Sequence, residues 1–292
     1  MAYRAVRRAG FRALLSAMLA AAQWRLLLLW LLLMLLPATV VVLPLWRVLS
    51  GLLDHSVHAA ALAAHFNAAM FGDVAFALSD SVGWLGGAAV LGLMLTLLLS
   101  PFLDGMIIGS GRAGRTLGFG SILQQGFVEY GRMFRMMLWS LPPYLLVIGA
   151  GMLGSHLAAD HADQAVLESQ ADLGLRVAGW GVVVVFVLMQ AIVESARAAF
   201  IADPSLRSAT RALGRAIRQL ILRPLTTLGF YLVVTLSGLA LAGATGVARM
   251  HVSAVGVRGF VAALVLGQLM VALIGWMRTA RLFALAKVAS SI

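Results

Sequence analysis

Six histidines and eleven acidic residues share this chain with 22 basic ones, and their positions decide what chemistry is open to it. Asp104 and Glu194 each fall near the end of a long apolar stretch; Arg197 follows Glu194 by one helical turn, and Arg278 and Arg281 stand at the same depth of another stretch. A carboxylate at the edge of a hydrocarbon layer is costly unless it is paired or near water. Asp104, Glu194, Arg197 and Arg278 are therefore candidates for intramembrane ion pairing. Two acids at matching depth are also what an intramembrane aspartyl protease uses, but arginines this close favour pairing. A Ser–His dyad lacks its histidine, since His156 lies at the outer end of its stretch.

A second set is imidazole-rich. Asp54, His58 and His65 fall at i, i+4 and i+11 on one helical face, and His156, Asp160, His161 and Asp163 follow in a later segment. Imidazole with carboxylate suits zinc, copper or nickel, so Asp54, His58, His65 and His161 form a candidate metal set that Asp73, Asp80 and Glu168 could complete. No H-E-x-x-H or similarly tight spacing accompanies them, and a solvated surface is the default use of these residues. Gly109–Gly114 matches G-x-G-x-x-G, but it follows an apolar stretch where a dinucleotide site needs a strand in a βαβ unit. Asp104-Gly105 lacks the Ala-Arg pair and further aspartates of the CDP-alcohol phosphotransferase motif. Without cysteine there is no disulfide, thiolate metal site or Cys nucleophile. No catalytic residue and no cofactor is assigned.

The elements that carry these residues are membrane helices. Of the 292 residues 62% are hydrophobic and 11% charged, against about 25% charged in a soluble domain, and the mean hydropathy is +0.97. These figures exclude a soluble protein. Six apolar blocks, at about 26–46, 84–108, 136–156, 177–200, 225–248 and 259–282, are each long enough to span a bilayer. The expected fold is an all-α polytopic membrane protein with six transmembrane helices: an amphipathic arm over 1–25, then a single six-span domain over 26–292. The first block is too long for a signal-peptide core and is read as a retained helix.

Of the 22 basic residues, 18 fall in the N-terminal arm, in the connections after the second and fourth blocks, and at the C-terminus. The positive-inside rule then places both termini in the cytoplasm and accounts for the net charge of +11 without nucleic acid. Arginine usage suggests a bacterium with a GC-rich genome, hence the inner membrane. Asp203-Pro204 reads as the N-cap and first position of a helix. Arg207, Arg211, Arg215 and Arg218 line one side of it, with Leu213, Ile217, Leu220 and Ile221 opposite. Such an amphipathic helix suits anionic inner-leaflet lipid or a cytoplasmic protein partner, and Arg4, Arg7, Arg8 and Arg12 repeat the pattern in the arm.

Asp104 and Glu194 lie 90 residues apart and Tyr144 and Tyr231 lie 87 apart, the spacing of a parallel internal repeat. Gln190 and Gln268 are the clearest polar groups within spans and suit interhelical hydrogen bonds. Gly238, Ala242 and Gly246, like Ala150 and Gly154, form small-residue packing stripes, and Pro37, Pro44, Pro101 and Pro142-Pro143 imply kinks.

The strings GFVEYGRMFRMMLWSLPPYLL and ESARAAFIADPSLRSATRAL, with the later RPLTTLGFYL, resemble uncharacterised six-helix bacterial inner-membrane proteins. These include proteins similar to the membrane domain attached to some glycerophosphodiester phosphodiesterases. The resemblance covers about residues 85–245 and implies a membrane domain without a known catalytic residue. Three functions are compatible with the chain. It could be a non-enzymatic membrane subunit or scaffold that docks a cytoplasmic partner or a second copy. It could be a transporter for a lipid or small apolar solute, or a periplasm-facing lipid-modifying or metal-dependent enzyme.

Overall fold

A computed structural model describes residues 10–53, 72, 75–76, 78–164, 167–252 and 256–291. Regular structure among them is helical: α1 (Phe11–Ala20), α2 (Trp24–Leu53), α3 (Val82–Ala113), α4 (Phe119–Trp139), α5 (Leu141–Gln164), α6 (Glu168–Ala202), α7 (Ala209–Leu222), α8 (Pro224–Met250) and α9 (Gly256–Ala289), with a 3₁₀ turn at Ser79–Ser81. Six of the helical stretches are long and apolar enough to cross a membrane, as in a multi-pass membrane protein.

Two boundaries differ from the sequence expectation. Helix is interrupted at Ser140 within the third apolar block, so Met136 lies in α4 and a new helix begins at Leu141. Pro142 and Pro143 sit in the first turn of α5, where a missing N–H costs nothing because that turn has no intrahelical acceptor for it. They start a helix where the pattern suggested a kink within one. Asp203 does not cap α7: it accepts from the Ser205 backbone N–H at 2.9 Å and hydroxyl at 2.6 Å, forming a local turn. The helix starts at Ala209, with the Ser208 hydroxyl accepting from the Arg211 N–H at 3.3 Å.

The chain divides into two compact units. The first comprises Met1–Leu26, Pro101–Ala240 and Trp276–Ile292. Its core joins Ile108 of α3, Met133 and Met136 of α4, Ala196, Ala199 and Phe200 of α6, and Ala209, Ala212 and Ala216 of α7 around Leu206. Glycines set how close α3 and α4 come. A Cβ on Gly105 would stand 3.0 Å from the Gly126 carbonyl oxygen, and one on Gly126 would stand 2.7 Å from the Phe102 ring. Gly114, at φ +62°, ends α3 in the left-handed conformation that favours glycine. The end of α1 is tied in by the Trp276 indole N–H, which donates to the Met18 carbonyl at 3.1 Å. Arg25 donates to the Leu117 carbonyl at 3.4 Å.

The second unit comprises Leu27–Ser100 and Leu241–Gly275. Its buried apolar residues include Trp30, Ala242 and Ala263, and the Trp30 indole lies against Gly275. Gly92 faces Val41 so closely that a Cβ would collide with it. Much of the rest is exposed leucine and valine, the surface that a bilayer covers. An apolar groove of about 420 Å³ runs along Leu31, Leu35, Pro37, Val41 and Leu93, with Gln268 as a polar lining residue.

Candidate functional site

The first unit buries charge. Helical i, i+3 spacing puts Glu194 and Arg197 on one face of α6 and Arg278 and Arg281 on one face of α9, and α3 supplies Asp104. Arg278 Nη2 lies 2.7 Å from Asp104 Oδ1, and Arg197 Nε lies 3.3 Å from Asp104 Oδ2. Arg197 turns its Nη1 to Glu194 Oε1 at 3.0 Å, which Arg281 Nη2 approaches at 3.7 Å. Arg197 thus bridges the two carboxylates. The Arg281 guanidinium also sits over the Tyr231 ring, 5.4 Å from its centroid. One turn before Glu194, Gln190 accepts from the Tyr144 hydroxyl at 2.7 Å. Asp104 is 2% exposed and Glu194 1%, so each needs its cations: removing one partner of a buried pair costs about 3–5 kcal/mol.

A second set adjoins it through Gly105, which packs on Glu129. Glu129, also 2% exposed, takes Arg112 Nη1 at 2.5 Å and Arg132 Nη1 at 3.1 Å. Arg112 Nε donates to the Phe200 carbonyl at 2.8 Å, linking the end of α3 to α6. The sequence reading did not single out Glu129, Arg112 or Arg132. The signal lay in an acid with a basic residue three positions on, but Glu129 sits in an amphipathic helix where most acids are solvated. Together these residues make three carboxylates and five guanidiniums. Arginine does not give up its proton, so these charges tie α3, α4, α6 and α9 together as ion pairs.

The structure brings together Asp104, Glu194, Arg197 and Arg278, and it separates by role the three α7 arginines and Arg207, which precedes the Ser208 cap. Arg215 Nη1 pairs with Asp203 Oδ2 at 2.6 Å. Hydrogen bonds from Ser205, then from Arg215, hold the Asp203 carboxyl down at about 2. Arg207, Arg211 and Arg218 are exposed, and no acid pairs with them among the described residues.

The face of α7 buried in the core is made of Ala209, Ala212, Ala216 and Gln219; Leu213, at the edge of the leucine and isoleucine stripe, packs against the same core while partly exposed. Ile217 and Ile221 are left exposed. At about 100° per residue, the arginines, the alanines and the Leu213/Ile217/Leu220/Ile221 stripe form three faces roughly 120° apart.

Of the candidate metal set, Asp54, His58 and His65 lie outside the described residues, as does Asp73. The His161 ring packs against Gly174. Among the described residues no group of three or more potential ligands is placed to hold a metal ion. The chain matches no protein-family model, no curated protein and no solved structure.

Proposed function

We propose that the chain is a non-enzymatic scaffold or subunit of a bacterial inner membrane, with both termini in the cytoplasm, that docks an acidic cytoplasmic protein through α7. The observation that carries this reading is the three-faced helix. Its alanines pack on the bundle, its exposed Ile217 and Ile221 suit the inner leaflet, and its third face carries Arg211, with Arg207 just before the Ser208 cap, both without acidic partners among the described residues. A helix held by protein on one side and lipid on another turns its remaining face to water. The ion-paired core beneath keeps that face in place, as a docking surface requires. The 90-residue offset between Asp104 and Glu194, with the like spacing of Tyr144 and Tyr231, supports descent from a duplicated unit.

Charge reversal at Arg207 and Arg211 tests the reading and leaves the Arg215–Asp203 pair intact. The partner co-purifies with the native protein in neutral detergent and is lost from Arg207→Glu/Arg211→Glu, while both proteins elute alike in size-exclusion chromatography. Unchanged recovery of the partner contradicts it.

A second reading has its own observation. The apolar groove of the second unit, about 420 Å³ with Thr96 and Gln268 in its lining, has the shape and polarity to take an acyl chain or small apolar solute. That favours a transporter.

A further inference from the structure

A cavity of about 280 Å³ opens in the first unit where α6, α7 and α9 meet, and its lining includes Ala202, Asp203, Arg215, Arg218, Gln219 and Ser290. We infer that it is a binding site for a phosphate group, presented by a lipid headgroup or as a free anion at the cytoplasmic face. The inference does not rest on the docking of a protein partner.

Gln219 supplies the first reason. It is 3% exposed, and its Nε2 is buried with no hydrogen-bond partner among the described residues. A buried amide N–H left without an acceptor costs about 1–3 kcal/mol, so the cavity calls for a ligand that brings acceptor oxygens.

Charge supplies the second. Asp203 is the acid in the lining, and it is already engaged by Arg215 and by the Ser205 N–H and hydroxyl. That leaves Arg218 in excess, and the lining carries a net positive charge. A planar guanidinium and an amide donor together suit an oxyanion, with charge-assisted bonds to the first.

The third reason comes from within the molecule. Buried Ile122, Gly126 and Glu129 of α4 have the same spacing as buried Ala212, Ala216 and Gln219 of α7, and each set follows its helix's N-cap, Gly118 or Ser208, at the same distance. In the α3–α4 connection the residue as far before its N-cap as Ala202 is before Ser208 is Arg112, whose guanidinium meets Glu129. In α6–α7 an alanine stands for that arginine and an amide for that carboxylate. The exchange opens a space and replaces an acceptor with a donor, so the missing component is anionic.

The test uses the full-length protein in neutral detergent and follows its thermal midpoint. One arm adds inorganic phosphate against chloride at matched ionic strength; the other adds short-chain phosphatidic acid against the diacylglycerol of the same chains. A rise in both arms shows a site open to the free anion as well as to lipid, and a rise with phosphatidic acid alone shows a headgroup site. Arg218→Ala binds the effective probe about tenfold more weakly, the loss of one charge-assisted hydrogen bond. Ala202→Arg/Gln219→Glu rebuilds the α3–α4 pair in the cavity and abolishes the shift while keeping the unliganded midpoint near the native one. If that double variant does not fold, Arg218→Ala decides alone. No shift in either arm, or a native shift in Arg218→Ala, overturns the inference.

Discussion

At the α3–α4 connection a buried Glu129 draws Arg112 and Arg132 inward; at the α6–α7 connection the corresponding residue is Gln219, and Arg207, Arg211 and Arg218 stay exposed. The two connections share helix order and buried spacing but differ in where charge is satisfied. Two kinds of exchange accompany the difference: Glu129 has Arg112 and Arg132 within reach and makes them internal struts, whereas Gln219 stands with Ala202 and Leu222 at those spacings, and the arginines of the α6–α7 connection lie at other positions. Similar positive charge on two loops of a membrane protein can therefore serve unlike ends, and the positive-inside count does not distinguish them.

The largest effect is expected where both connections depend on one residue. Arg197→Ala removes the bridge between Asp104 and Glu194, and a loss of about 3–5 kcal/mol lowers the thermal midpoint of the detergent-purified protein sharply. A midpoint within a degree or two of the native value shows that the bridge does not hold these helices. Next in size, Glu129→Gln puts in α4 the amide that α7 carries at Gln219. Arg112 and Arg132 then lose their acid, at about 1–3 kcal/mol. Hydrogen exchange accelerates in α4 and not in α7; equal acceleration in both helices collapses the comparison.

The smallest effect is local and pH-dependent. The Asp203 carboxyl, held at about 2 against an ordinary 3.8, stabilises the turn before α7 at pH values above about 4. That contribution fades as the pH falls through about 2, because the unfolded chain takes up its proton first. A carboxyl resonance of Asp203 that titrates near 4 contradicts the Ser205 and Arg215 bonds.

The spans were legible because twenty apolar residues in a row have few other uses, and Asp104, Glu194 and the α9 arginines stood out because charge is rare in such runs. The breaks between helices were harder. Hydropathy runs unbroken through Ser140, and the break there is a local one, in the backbone bonds that close α4 before Leu141 opens the next helix. Asp203-Pro204 has the chemistry of a cap and first turn, yet burial of Leu206 and the Ser205 bonds spend those residues on a turn. The alanine face by which α7 packs on the bundle was missed for a different reason. Alanine weighs little in an apolar stripe, but in membrane bundles small residues are what allow helices to approach closely. Glu129 and Gln219 were hidden because their roles depend on residues far along the chain, Arg112 for one and the alanine at 202 for the other.

The claim that α7 turns an arginine face to the cytoplasm is tested most directly by thiol labelling, for which the chain's lack of cysteine is convenient. Single cysteines at Arg211, Ile217 and Ala212 sample the three faces of the helix. In inside-out membrane vesicles a water-soluble maleimide modifies Arg211→Cys rapidly; it reaches Ile217→Cys slowly unless a lipid-soluble reagent is used, and it does not reach Ala212→Cys until the protein is unfolded. Equal labelling of Arg211→Cys and Ile217→Cys by the water-soluble reagent, or labelling of Arg211→Cys only from the opposite side of the membrane, contradicts the account.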